Sequence, residues 1–511
     1  MTKKYLYLPK EEKQEGREWR ILLNRSTLPF IMKNSSSPTY QTYKGLPPLA
    51  GLATFEQAFQ PGLSVEDCVK RLKRFHYSFW RLHQICMAHI AEEPVYELKM
   101  AFSLHSFLAA ENDTNFRNRI GEMREPPLGL EKVPHAALGV FFDEILATPS
   151  TEERVIALYE KAFPALRDAL KRYISQTHRL ADAPSIRLCR MALIDVEDIC
   201  AYGKKAVKCL VSEQQRAASA SWISLLDVCL ASAGGLEGSA GATAESEPTR
   251  FYSSKKYVFQ GTPRRDARFP DPYNMGVNAE TFLYDETKPA DPKVLMMFYK
   301  RLREIDVPEM MSSIISETKG KPWDYYRDMT RQLWDEARHA MMGEVGFVSL
   351  DLDWPKLVML NFTWSHCLNS QLTPKERHAV LYFIEQGLMP KTGKRHEWEV
   401  SQKSHYPLAV TLQDFDWADE VLHARIGRDW YVADMPSAAE AIHYGDNCWS
   451  KVTVGWKQWK DEGLTQHRNW WPDLYLAYCA KKGLKPDPVV LAFDTTYEGK
   501  RADLKEVAVS A

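Results

Sequence analysis

Two five-residue segments, Asp335-Glu336-Ala337-Arg338-His339 and Asp419-Glu420-Val421-Leu422-His423, share one spelling. Each lies in a run whose apolar residues recur every three or four positions. A Glu and a His three residues apart lie on the same helix face, about one turn along, so both can point at one ion. The second pair follows the first by 84 residues, which leaves room for an intervening helix. This is the arithmetic of a bundle with two metal positions. Two helices each give Glu-x-x-His, and each of the other two gives one Glu. A third copy, Glu440-Ala441-Ile442-His443, follows Glu420 by only 20 residues, in a short segment between Pro436 and Gly445. With this chain's content of Glu and His, roughly one such match is expected from composition alone.

The lone carboxylates must come from the helices ahead of each motif. Glu309 lies 27 residues before Glu336, enough for a helix, a turn and half of the next, and Glu304 on the same helix competes with it. Glu385, flanked by apolar residues in VLYFIEQGL, lies 35 residues before Glu420. Glu376, beside Pro374, reads better as a charge at a helix N-terminus. The candidate catalytic and metal-ligating set is therefore Glu309, Glu336, His339, Glu385, Glu420 and His423. Four ionised Glu packed in an apolar bundle repel one another and raise each other's pKa values, and two divalent ions cancel those four charges. The Asp before each Glu is placed to orient a ligand His. Any one of these Glu taken alone is an ordinary solvated helix residue, so the inference rests on the assembled six.

The rest of the chain reads as mainly α. Residues 1–60 are rich in Pro, Ser and Gly and read as an extended arm. Helical periodicity over 61–232 covers five stretches, among them VEDCVKRLKRFHYSFWRLHQICMAHI and EERVIALYEKAFPALRDALKRYI. Residues 233–292, which include ASAGGLEGSAGATAESEP, read as a linker and irregular segment. Residues 293–432 supply four helices, the first spanning PKVLMMFYKRLREIDVPEMMSSIISET. The remainder, 433–511, is an aromatic-rich helical extension with Trp449, Trp456, Trp459, Trp470 and Trp471, for which packing is the commoner use. Lys and Arg number 66 and Asp and Glu 67, a balance that argues against a general nucleic-acid binder. Nine scattered Cys without a C-x-x-C pair read as reduced thiols. No apolar run approaches a membrane span, and the polar N-terminus is unlike a secretory signal, so a cytoplasmic protein without a membrane partner is expected.

DEARHAMMGE and DEVLHARIGRDWY resemble the ferritin-like superfamily of di-iron carboxylate proteins, nearest to the branch with tRNA-hydroxylase-like proteins and uncharacterised relatives. In that branch the first helix carries two Glu five residues apart, matched by Glu304 and Glu309, of which the second is the ligand. The third-helix ligand sits in a phrase like L-E-A-R-G-L, matched by Ile384-Glu385-Gln386-Gly387-Leu388. The resemblance covers roughly residues 295–432 and is specific for fold and metal, not for substrate. One departure is Leu422, where the first motif has Arg338. The resemblance implies two iron ions, with manganese an alternative at one or both positions, and an oxygen-activating oxidase or oxygenase acting on a small organic substrate. It leaves room for an external electron donor, a reductase partner and a homodimer. A tRNA-modifying hydroxylase is the alternative by analogy, disfavoured by the absence of a sustained basic stripe. A ferroxidase or iron-handling protein fits a two-bundle chain poorly, and a non-enzymatic scaffold leaves the six residues unexplained.

Residues 61–232 read as a degenerate second ferritin-like four-helix bundle without metal. Subtracting 225 from Glu309, Glu336, His339 and Glu385 lands on Gln84, Glu111, Thr114 and Glu160, and an offset of 223 takes the last motif to Glu197 and Cys200.

Overall fold

The computed structural model describes residues 40–241, 248–270, 274, 277–360, 363–389, 393–453, 461–465 and 468–495. Residues 1–39 of the predicted arm, 242–247 of the predicted linker, Trp456, Trp459 and the chain from 496 onward lie outside the described residues. Among the described residues the protein is all-helical, with no strand. Its contacts divide between Phe59 and Gln60, one residue from the predicted end of the arm. In the first unit, one helical turn, Phe55–Ala58, is closed by a capping box between Thr54 and Gln57.

The second unit opens with α1 (Val65–His89), α2 (Tyr96–Met123), α3 (Ala136–Leu146), α4 (Phe163–Gln176), α5 (Ala183–Leu210) and α6 (Ala220–Ser232). Ser64 starts α1 by accepting the Asp67 N–H. A π-helical stretch, Ala157–Ala162, leads into α4. Pro164 has no N–H for the Glu160 carbonyl, and the wider turn accommodates its ring.

The C-terminal half holds α7 (Ala279–Tyr284), α8 (Ala290–Arg303), α9 (Asp306–Glu317), α10 (Trp323–Ser349), α11 (Thr363–Gln371), α12 (Pro374–Gly387), α13 (Lys394–Lys403), α14 (Pro407–Trp430), α15 (Ala438–Thr453) and α16 (Trp471–Lys482). The first predicted helix of this half is in fact two, α8 and α9, broken at Glu304–Ile305. Pro308 explains the break: its ring clashes with the carbonyl four residues back, that of Glu304, and it cannot donate to it. Glu376 does what the sequence predicts. It completes a capping box with Thr373 at the start of α12, beside Pro374 at the first helical position.

The two helical blocks share one interior. A continuous buried apolar cluster runs from Cys68 to Val452, with α1 packed on α9 and α2 on α10. The segment predicted as a linker contributes to this interior through Arg265, whose side chain is buried. Trp470 and Trp471 pack as core, their rings 4.3 Å from Tyr299 and 4.7 Å from Phe282.

One close approach positions the candidate site. α10 crosses α8 at Gly343, where a Cβ would overlap the backbone nitrogen of Leu302. The bare glycine lets the end of α8, and Glu304 with it, reach His339 on α10. Gly343→Ala should therefore push α8 outward, costing about 1–3 kcal/mol of stability and lowering metal uptake. Denaturant melts and elemental analysis check both, and a variant with unchanged metal content would show that the approach does not set the site.

Candidate metal centre

α10 and α14 each carry one Glu-x-x-His pair, and the fold turns both pairs inward. Glu336, His339, Glu420 and His423 are all buried, and the two imidazoles lie 5.8 Å apart between ring centres. Their Nδ1 atoms face the carboxylates. His423 Nδ1 is 3.0 Å from Glu336, 3.5 Å from Glu420 and 4.0 Å from Glu385. His339 Nδ1 is 3.3 Å from Glu304, 3.5 Å from Asp416 and 3.6 Å from Glu336. Two groups of four result, Glu304–His339–Asp416–Glu420 and Glu336–Glu385–Glu420–His423. In each, one donor atom per residue lies within 4.8 Å of the others. Glu420 belongs to both.

The aspartates act across the helix pair. His339 Nε2–H donates to Asp419 at 3.1 Å, and His423 Nε2 stands 3.4 Å from Asp335. Each aspartate thus supports the imidazole of the opposite motif, leaving Nδ1 for the centre. Arg338 ties the two together, pairing with Asp335 and lying 2.8 Å from Asp419. One arginine serves both aspartates, so the second motif does without an equivalent at Leu422.

Glu309 is not part of this cluster, contrary to the sequence prediction; Glu304 stands there instead. Five residues along a helix are about 140° around it, so the two Glu could not share a face, and the break ahead of Pro308 separates them further. Glu309 is buried in an ion-pair knot with Lys99 of α2 and with Arg265 at 2.9 Å, and it accepts a hydrogen bond from Ser365 at 2.7 Å. It fastens the two helical blocks together. The other five predicted residues are all brought together.

The sequence reading missed three members. Asp416 lies four residues before Glu420, on the same stripe of α14, a spacing that was visible. Lys394, fully buried at the start of α13, lies 2.9 Å from Asp416 and 2.8 Å from Glu420. Arg301 lies 2.9 Å from Glu304 and pairs with Asp416. Arg301 stands one turn before Glu304, but no spacing marks Lys394.

These neighbours set the charge states. Burial and then the adjacent Glu420 push the Glu385 carboxyl well above its usual range. Against the cost of burial, the Lys394 ammonium holds Glu420 well below it. Burial opposes charge on His339, but Asp419, Glu304 and Glu336 around the ring push it up to about 10.

The remaining sequence candidates fall outside. Glu440 and His443 are exposed on α15, with His443 bonded to Asn447. In the N-terminal block, Glu111 is exposed, Glu160 pairs with Arg216 and Glu197 with Lys171 at the surface. Thr114 bonds Trp323, and Cys200 is half-buried. Among the described residues no metal-type group assembles in that block.

Fold and site together define a helical protein with a buried carboxylate–imidazole centre that could hold metal. No family model, no curated protein and no solved structure matches the chain. No helix among the described residues is long and apolar enough to cross a membrane.

Proposed function

We propose that the centre holds two transition-metal ions, iron or a manganese–iron pair, and that the protein is an oxygen-activating oxidase or oxygenase of a small organic substrate. The observation that carries this reading is a set of buried donor atoms without hydrogen-bond partners: Glu304 Oε2, Glu336 Oε1, Glu385 Oε2, Glu420 Oε2, His339 Nδ1 and His423 Nδ1. One comes from each of six residues, and buried polar atoms are rarely left so. Four carboxylates and two imidazoles suit iron or manganese. The residues fit the group.

A pair of such ions, when bound, supplies electron transfer to dioxygen. The chain's own share is geometric. Glu336 and Glu420 lie between the two imidazoles with Glu304 and Glu385 flanking them, and these four carboxylates would hold the ions. Asp335 and Asp419 hold the rings, and the buried surroundings exclude water. In the Glu304–His339 group the Lys394 ammonium holds Asp416 and Glu420 and would have to move aside for those carboxylates to serve as ligands, whereas Glu385 is approached by the neutral Gln332 amide at 3.2 Å. We assign α8, α10, α12 and α14 to a ferritin-like four-helix bundle on the same grounds. The outward-facing Glu111, Glu160 and Glu197 give a degenerate copy in 61–232 no support.

Protein loaded with iron should hold two ions per chain. His339→Ala or His423→Ala should lose most of them, and His443→Ala none. Anaerobic reduction followed by oxygen should give a spectral change and oxygen uptake that His423→Ala abolishes. A site without metal, or a loaded site inert to oxygen, would overturn the metal reading or the oxygenase reading respectively.

A further inference from the structure

A second feature of the molecule lies away from the metal centre. A cavity of about 990 Å³ opens between α1, the chain from Arg250 to Phe259, and the turn joining α9 to α10. No residue of the two carboxylate–imidazole groups lines it. Its volume is at the upper end of the range for small-molecule sites.

The charge of its wall sets it apart. Seven Lys and Arg line it against three Asp and Glu, in a chain whose totals are 66 and 67. The acids are already engaged. Asp143 is held by Arg81 at 2.7 Å and Arg250 at 2.8 Å, Glu317 pairs with Arg377, and Glu131 lies 3.8 Å from Arg117. Lys255 and Lys256 are exposed on the wall and make no ion pair among the described residues. The cavity therefore carries uncompensated positive charge, which a bound anion would neutralise.

The wall is also aromatic. Trp80, Tyr257, Trp323 and Tyr326 line it, with Met87, Leu146 and Ile315 supplying aliphatic surface. Arg117 already stacks over Trp323 at 5.5 Å, leaving a flat cationic–aromatic surface of the kind that takes planar rings.

One further group points to a ligand. Thr330 donates its hydroxyl hydrogen to the Tyr326 carbonyl at 2.6 Å, so its oxygen accepts from His83 Nε2–H at 2.8 Å. That assigns the tautomer of His83 and leaves Nδ1 as a lone-pair acceptor. The ring is buried to 97%, being 3% exposed, and Nδ1 has no partner. Burial pushes its pKa down to about 4, so it stays neutral and accepting. Gln84 beside it makes no hydrogen bond among the described residues.

We infer that this cavity binds a planar organic anion of about nucleotide size, its phosphate, sulfonate or carboxylate toward Lys255 and Lys256 and its ring against Trp323. A hydrogen-bond donor on the ring would satisfy His83. The site shares no residue with the metal centre.

Calorimetric titration of the full, metal-stripped chain at low salt tests this with three probes: adenosine 5′-monophosphate, naphthalene-2-sulfonate and neutral adenosine. At least one of the two anions should bind at one site per chain, at least about tenfold more tightly than adenosine. The double variant Lys255→Ala/Lys256→Ala changes only exposed side chains and should keep the parent melting curve, yet weaken that binding by about tenfold or more. The inference is overturned if neither anion binds below about 1 mM, if adenosine binds as tightly, or if the lysine variant binds the anion as well as the parent does. Failure of metal loading would leave this result untouched, so the two readings fail separately.

Discussion

Replacing Glu309 by Ala is expected to lower the free energy of unfolding by about 3–5 kcal/mol while leaving two metal ions per chain, and replacing Glu304 by Ala to do the reverse. The two residues are five apart and both acidic, yet they sit in different electrostatic settings. Glu309 is the anion between Lys99 and Arg265, both buried with it. Removing it strands the Lys99 ammonium in the interior and leaves Arg265 with Asp306 alone, and stranding a buried charge costs far more than the intact pair contributes. Asp306 covers only part of the loss: it already pairs with Arg265 and, once Glu309 beside it is gone, ionises more readily against burial, but it makes no contact with Lys99 among the described residues. Glu304 differs, because its Oε2 has no hydrogen-bond partner and faces His339 Nδ1 at 3.3 Å. Its loss removes a metal donor, and Arg301 keeps Asp416 as a counter-ion. Stability is to be measured on metal-free protein, because bound metal would add its own stabilisation. A Glu309→Ala protein as stable as the parent but unable to hold metal would restore Glu309 to the ligand set and remove Glu304.

The contrast shows what a sequence carries and what it hides here. The Glu-x-x-His pairs were legible because their geometry is local: three residues on a helix fix one turn whatever surrounds them. Glu385 was legible from its apolar flanks, and Glu376 from capping chemistry beside Pro374. The choice between Glu304 and Glu309 depended on whether the helix continued, and Pro308 breaks it. Arg301 lies one turn before Glu304 on α8, whereas Lys394 enters from α13, joined to the site only by tertiary packing, and no spacing in the chain announces it. The same holds for Arg265. Its surroundings read as an irregular connector, yet it is buried against Glu309 and helps join two blocks that the periodicity presents as separate.

The centre's apparent affinity for metal should climb with pH and keep climbing above pH 7, by about tenfold per pH unit for each imidazole that must release a proton. The cause is the charge already gathered there. Burial opposes protonation of His423, but Asp335, Glu336 and Glu420 close around it and raise it well above the ordinary histidine value. His339 is pushed up to about 10 by Asp419, Glu304 and Glu336. Both rings are therefore protonated in the metal-free protein at pH 7, and each Nδ1 must give up its proton to become a ligand. An ordinary imidazole, titrating near pH 6.5, would stop contributing just above neutrality. The Glu385 carboxyl, itself held well above its usual range, must also release its proton and steepens the climb. The two raised imidazoles give about a hundredfold per unit between pH 7 and 8. The same shifts set the stability of the metal-free protein. For a group whose folded pKa lies above its unfolded value, the stabilisation is full below about pH 6.5 and is lost as pH rises toward the folded value. The metal-free melting temperature should therefore fall from pH 7 to 9 while the gap to the loaded protein widens. Competition against a chelator of known pH dependence at pH 7, 8 and 9, with melts of both forms, measures the two trends. An affinity flat across that range would mean neutral rings in the metal-free centre, and the carboxylates around them could not then carry the charge assigned to them.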